Sequence, residues 1–187
     1  RPFWVLAVLF TTPPLLGYLA TTQHALYFAA RGFSPAEASA LLGLGGVLAA
    51  VGRVLFGLMA DRVGAPLAGF VSFGSTLIGM LCLLGMEVWP GRPFAWGYVL
   101  FLFLPMGSRA TIVSVLVSRM APPARYGLIF GLIGIGNNLG GAAGPLLSGA
   151  LYDWTRSYLV IYLAATAILL VAIATLALFC LLTRPSA

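Results

Sequence analysis

The stretch YLVIYLAATAILLVAIATLALFCLL, from Tyr158 to Leu182, holds no charged side chain. It exceeds the ~20 apolar residues that carry a helix across a bilayer. Runs of this kind repeat along the whole chain and decide what it can be. A soluble domain carries roughly 25% charged residues, whereas this chain has 7% charged and 61% hydrophobic among its 187 residues. The class that follows is all-α and polytopic, with the lipid bilayer as the solvent partner.

Six spans are expected, at residues 3–29, 35–59, 66–86, 94–119, 126–152 and 158–182. Short connections rich in Gly, Pro and Asp separate them. Ser34-Pro35-Ala36-Glu37 is a capping-box pattern with Pro at the first helical position, so Glu37 reads as a helix-start residue. The net charge of +6 comes from ten Arg or Lys, all of them Arg, against four acids. In a soluble chain this balance would suggest nucleic acid. Here the arginines sit mostly between apolar runs, so membrane orientation explains them and no nucleic-acid partner is expected. Arg1, Arg62, Arg119, Arg125 and Arg184 fall on one side, and Arg31, Arg92 and Arg156 on the other. The first side is therefore expected in the cytoplasm, with both termini inside and the protein multi-pass in the cell (inner) membrane. The first apolar segment is too long for a cleaved signal peptide. A start at Arg1, with no Met, suggests a fragment of something longer. Cys82 and Cys180 lie within apolar runs, without metal-ligand spacing, and read as packing residues. No metal or cofactor is expected.

The six spans differ in polarity. The first carries Gln23 and His24 after Pro13-Pro14, the second Arg53, the fourth Arg109, and the fifth Asn137 and Asn138. The third and sixth hold no charge, His, Asn or Gln and read as lipid-facing. Polar, polar, apolar, twice over, is a 3+3 pattern of the kind built into inverted-repeat transporters.

In the fifth span Gly127, Gly131, Gly134, Asn138, Gly141, Pro145 and Ser148 follow at steps of three and four. They share one helical face, and small residues let helices approach closely in lipid. Asn138 on that face either bonds a neighbouring helix or touches a passing solute. Gly46, Ala50, Arg53 and Gly57 share a face of the second span in the same way. Arg53 lies roughly 8 Å from that span's centre at 1.5 Å per residue. It can snorkel to the headgroups, but its small neighbours favour a cavity or interhelix role. Arg109 lies only about 4–5 Å from the centre of its span. A charge there costs at least ~2.5–3.5 kcal/mol. Glu37, Asp61, Glu87 and Asp153 all fall at span ends. Arg109 therefore needs a wet cavity that receives an anion, or a carboxylate from outside these residues. The one histidine, His24, with Tyr27 a turn ahead, reads either as a hydrogen-bonded helix residue or as cavity lining or proton relay.

GRVLFGLMADRVGAP, from Gly52 to Pro66, resembles the G-x-x-x-D-R-x-G loop of the major facilitator superfamily. That loop follows the family's second helix and recurs more loosely after the eighth. Ala65 and Pro66 stand where the family has its next basic residue, which suits the second copy. The stretch from Arg109 to Tyr158 is similar to helices ten and eleven of bacterial members of the monocarboxylate-transporter and oxalate/formate-antiporter branch. Only the G-x-R core of the family's G-x-R-G-P segment is kept, as Gly107-Ser108-Arg109. QHALYFAARGFSPAEAS resembles their seventh helix. The resemblance implies the C-terminal six helices of a twelve-helix transporter. It implies that Arg53 contacts a substrate carboxylate and that Gly57, Asp61, Arg62 and Gly64 belong to a gating loop. Monocarboxylate transporters carry an Asp one turn before that arginine for proton coupling. Ala49 stands there, which argues against proton symport through this half.

The expectation is a non-enzymatic secondary transporter of a small, monocarboxylate-like organic anion, working by alternating access as symporter or antiporter. Arg53, Arg109, His24, Tyr27, Asn137 and Asn138 are its candidate substrate contacts. The partner is an N-terminal six-helix half or a second copy. The rival readings are multidrug or neutral-solute efflux by the same fold, or a non-transporting half-length membrane fragment. An intramembrane serine protease is excluded, because no G-x-S-G occurs and His24 precedes every plausible Ser. A water channel is excluded for want of Asn-Pro-Ala loops.

Overall fold

The computed structural model describes residues 2–120 and 122–183. Arg1 and Arg184, two of the arginines used for orientation, lie outside them. All regular elements among the described residues are helical: α1 (Pro2–Thr21), α2 (His24–Ala30), α3 (Pro35–Val63), α4 (Ala65–Val88), α5 (Arg92–Met106), α6 (Arg109–Met120), α7 (Tyr126–Thr155) and α8 (Tyr158–Leu182). A single 3-10 turn, Pro123–Arg125, leads into α7. Five stretches are long and apolar enough to cross a membrane: α1 with α2, α3, α4, α5 with α6, and α8. The sixth, α7, has ample length at 30 residues, or about 45 Å. Its glycines and its Asn137-Asn138 pair make it the least apolar of the set.

The packing repeats. The span formed by α1 and α2 lies mainly against α7 and α8, and the span formed by α5 and α6 lies mainly against α3 and α4. Exchanging the first three spans for the last three maps one set of neighbours onto the other. The pair α4 and α8 maps onto itself. The two spans that exchange in the middle of this arrangement are also the two broken ones. The first is interrupted at Thr22-Gln23 and the fourth at Gly107-Ser108.

One end of the bundle is tied by charge. Arg31, after α2, pairs with Glu87 at the end of α4. Arg92, which opens α5, pairs with Glu37 at the start of α3 at 2.7 Å. Glu37 also completes the capping box: Ser34 N–H donates to its carboxylate at 2.9 Å, and its own N–H donates to Ser34 Oγ at 3.2 Å.

Close helix crossings use different glycines from those the sequence singles out. A Cβ on Gly136, Gly140 or Gly144 would lie 2.3, 2.3 or 2.7 Å from atoms of Thr11, Thr11 and Tyr18 of α1. A Cβ on Gly127, Gly131 or Gly134 would meet nothing within 4 Å, and one on Gly141 only the Tyr18 ring at 3.4 Å. Pro145 is half-buried beside that seam. On α3, Gly46 and Gly57 face open space, while a Cβ on Gly52 would sit 1.6 Å from the Leu104 carbonyl oxygen. Both helices carry two rows of small residues that satisfy the 3.6-residue period. Only the position of the neighbouring helix decides which row is closed.

The third span faces both ways: α4 buries Ser72, Phe73, Thr76, Met80 and Leu83 and keeps Leu67, Val71, Ile78 and Leu81 exposed. α8 does keep one apolar face outward, with Leu163, Leu170 and Val171 exposed, and seats Tyr162, Ala165, Leu169, Ala172 and Leu176 inward. The candidate gating residues are not a loop. α3 runs to Val63 and α4 begins at Ala65, so Asp61 and Arg62 occupy the last helical turn, exposed. Gly64 alone makes the connection, at φ +91° and ψ 149°, a conformation open to glycine because it lacks Cβ.

Candidate substrate cavity

Three prolines shape the site. Pro14 has no N–H, so the carbonyl four residues earlier, on Phe10, loses its helical donor. The side-chain amide of Asn137 on α7 donates to that oxygen at 3.4 Å. Pro105 does the same to Phe101 in α5, and Ser75 Oγ of α4 donates to Phe101 O at 3.0 Å. Each broken span thus has one freed carbonyl satisfied by a polar side chain from a neighbouring helix.

Just beyond Pro105 the helix stops. Ser108 N–H and Ser108 Oγ both donate to Pro105 O, at 3.1 and 2.7 Å. Gly107 lets α3 pass: a Cβ there would lie 2.1 Å from Ala49 O and 2.9 Å from Arg53 Cγ. This close approach is what brings Arg53 to the break. Arg109 then opens α6, whose first-turn amides lack helical acceptors and lend partial positive charge.

The guanidinium of Arg109 is only 6% exposed. Nη2 donates to Thr76 Oγ1 at 2.6 Å and Nη1 to Pro13 O at 3.5 Å. The group lies over the Phe73 ring, 5.5 Å from its centroid. Nε has no hydrogen-bond partner. All of these contacts are neutral. Among the described residues the ion pairs are Arg31–Glu87 and Arg92–Glu37, at the end of the bundle.

Arg53, Arg109 and Asn137 border one open cavity of about 470 Å³, with Phe10, Pro13, Pro14, Tyr18, Met106, Ala110 and Thr111. Among the described residues its wall holds two guanidiniums and no carboxylate. The remaining candidates lie elsewhere. His24 is 1% exposed, and its Nε2 bonds the Tyr98 hydroxyl. Tyr27 is fully buried, its hydroxyl donating to Leu83 O at 3.4 Å, in a cluster with Phe28, Tyr158 and Tyr162. Of the two readings open for His24, the hydrogen-bonded helix residue fits this placement. Asn138 is exposed, a turn of about 100° away from Asn137. The sequence reading missed Ser72, Ser75, Thr76 and Ser108. Their one trace is spacing, since Ser72 and Thr76 stand four apart on one face.

Fold and composition together define a multi-pass helical membrane bundle. The Major Facilitator Superfamily matches residues 2–187, and the chain belongs to that family. Members of this family are transporters rather than enzymes. The chain is 35% identical to the "Probable nitrate transporter NarT" of Staphylococcus epidermidis over 135 residues, 68% of this chain and 33% of that protein. It is 28% identical to "Monocarboxylate transporter 13" of Bos taurus over 142 residues, 74% of this chain and 32% of that protein. The chain spans about a third of the length of these curated relatives.

Proposed function

We propose that this bundle forms one wall of a binding site for a small anion, carried across the membrane by alternating access. The observation that carries the reading is the pairing of Arg53 and Arg109 on one cavity with no carboxylate in its lining. A neutral cargo would require carboxylates from the opposing wall to balance the two guanidiniums. An organic monocarboxylate suits the cavity better than nitrate does. Phe10, Pro13, Tyr18 and Met106 offer apolar surface for a carbon skeleton behind the carboxylate. Nitrate is the second reading, supported by the similarity to a probable nitrate transporter.

The opposing wall comes from an N-terminal six-helix half or a second copy. It is expected against α3 and α7, whose outward residues include Val47, Val54, Leu58, Leu128, Leu132 and Leu139. Asp61 and Arg62, on the exposed end of α3, are proposed to meet that partner during gating. The bundle is placed in the inner membrane with both termini cytoplasmic, on the arginine distribution.

The test is a solute panel on the full-length protein in proteoliposomes. Saturable uptake of lactate or a similar short monocarboxylate is expected. Saturable uptake of nitrate alone selects the second reading. Movement of neutral solutes only, insensitive to anions, removes the anion reading.

A further inference from the structure

We propose that Thr76 of α4 is a positioning residue for substrate recognition: it fixes the guanidinium of Arg109 in the wall of the cavity. The proposal rests on the anion reading above and adds a helix that the sequence places in lipid. Thr76 is fully buried and 33 positions from Arg109 in sequence. Its hydroxyl proton goes to Ser72 O at 3.0 Å. The oxygen is therefore oriented to accept, and it does so from Arg109 Nη2 at 2.6 Å. Phe73, on the same helix, lies beneath the guanidinium plane.

These contacts hold a flexible side chain in one arrangement. Pro13 O takes Nη1 at the far limit of a hydrogen bond, 3.5 Å, and nothing takes Nε. A guanidinium presents five donors in a fixed fork, matched to planar oxyanions in pairs. Thr76 fixes one corner of that fork where Arg109 borders the cavity. Preorganisation of this kind favours binding, because the ordering of the arginine is complete before the cargo arrives.

The experiment uses the full-length protein in proteoliposomes, with lactate and nitrate as probes. Thr76→Val keeps the shape and removes the acceptor. It is expected to raise KM for the transported anion on the order of tenfold, with maximal rate within twofold. Thr76→Ser is expected to restore KM. If Thr76→Val does not reach the membrane, Thr76→Cys, a similar shape with a weak acceptor, is expected to give an intermediate KM. Thr166→Val, which removes a comparable helical hydroxyl on α8 away from the cavity, is the structural comparator and should leave KM unchanged. An unaltered KM in Thr76→Val, or a Thr76→Ser no better than Thr76→Val, overturns the assignment while leaving the anion reading in place. Failure of the unmodified protein to take up either probe overturns the anion reading, and the assignment with it.

Discussion

Ser75 Oγ donates a 3.0 Å hydrogen bond to the carbonyl oxygen of Phe101, the group that Pro105 leaves without its intrahelical donor. The twin of this contact joins Asn137 to Phe10, below Pro14. Both tie a proline-broken span to the helix beside it, and the cavity opens between the two.

Removing one of these donors strands a carbonyl. Ser75→Ala is expected to cost about 1 kcal/mol, seen as a lower thermal unfolding midpoint in detergent. In a Pro105→Ala background, residue 105 regains its N–H and the same substitution should cost much less. A double-mutant cycle reads the coupling directly. Equal losses in both backgrounds would mean that Ser75 does something other than replace the missing amide.

Glycine substitutions separate the two rows of each helix. Gly140→Ala puts a Cβ 2.3 Å from Thr11 O, and Gly52→Ala puts one 1.6 Å from Leu104 O. Backbone cannot yield as a side chain does, so each is expected to cost at least ~1–3 kcal/mol of stability. Gly131→Ala and Gly46→Ala meet nothing within this bundle and should cost clearly less than those two. Circular-dichroism melts of the four variants check this ordering.

Much of the frame was legible in advance, because span length and apolarity are properties of each segment alone. Tyr158–Leu182 matched its expected bounds, and Pro35 opened α3 with the Ser34–Glu37 box in place. What depends on neighbours was not legible. Small-residue rows at 127–131–134 and 136–140–144 have the same period, and only α1 decides between them. Arg109 finds its partners 33 and 96 positions away. Thr76 carried no signal beyond its spacing from Ser72, since helical Ser and Thr commonly bond their own backbone four residues back, as Thr12 and Thr166 do here. Arg53 and Asn137 were named from polarity in an apolar span, and they border one cavity. His24 and Tyr27 were named on the same ground, and their polar atoms meet Tyr98 and Leu83 instead.

The two ion pairs should differ in weight. Arg31 and Glu87 side chains are 23% and 18% exposed, those of Arg92 and Glu37 71% and 39%. Arg31→Gln leaves a largely enclosed carboxylate whose second oxygen already lacks a partner. It is expected to lower the unfolding midpoint by roughly 2–4 °C. Arg92→Gln should leave the midpoint unchanged, as exposed pairs do. The double variant Arg31→Gln with Glu87→Gln should recover part of the loss. Equal effects of Arg31→Gln and Arg92→Gln would contradict the difference in enclosure.

The central claim is that Arg53 and Arg109 supply the charge that holds the cargo. Its most direct test is equilibrium binding of lactate to the purified full-length protein, measured for the parent, Arg53→Gln and Arg109→Gln at matched folded fraction. The account predicts saturable binding by the parent that weakens about a hundredfold or more when either guanidinium is removed. Lactate affinity unchanged in both variants would contradict it.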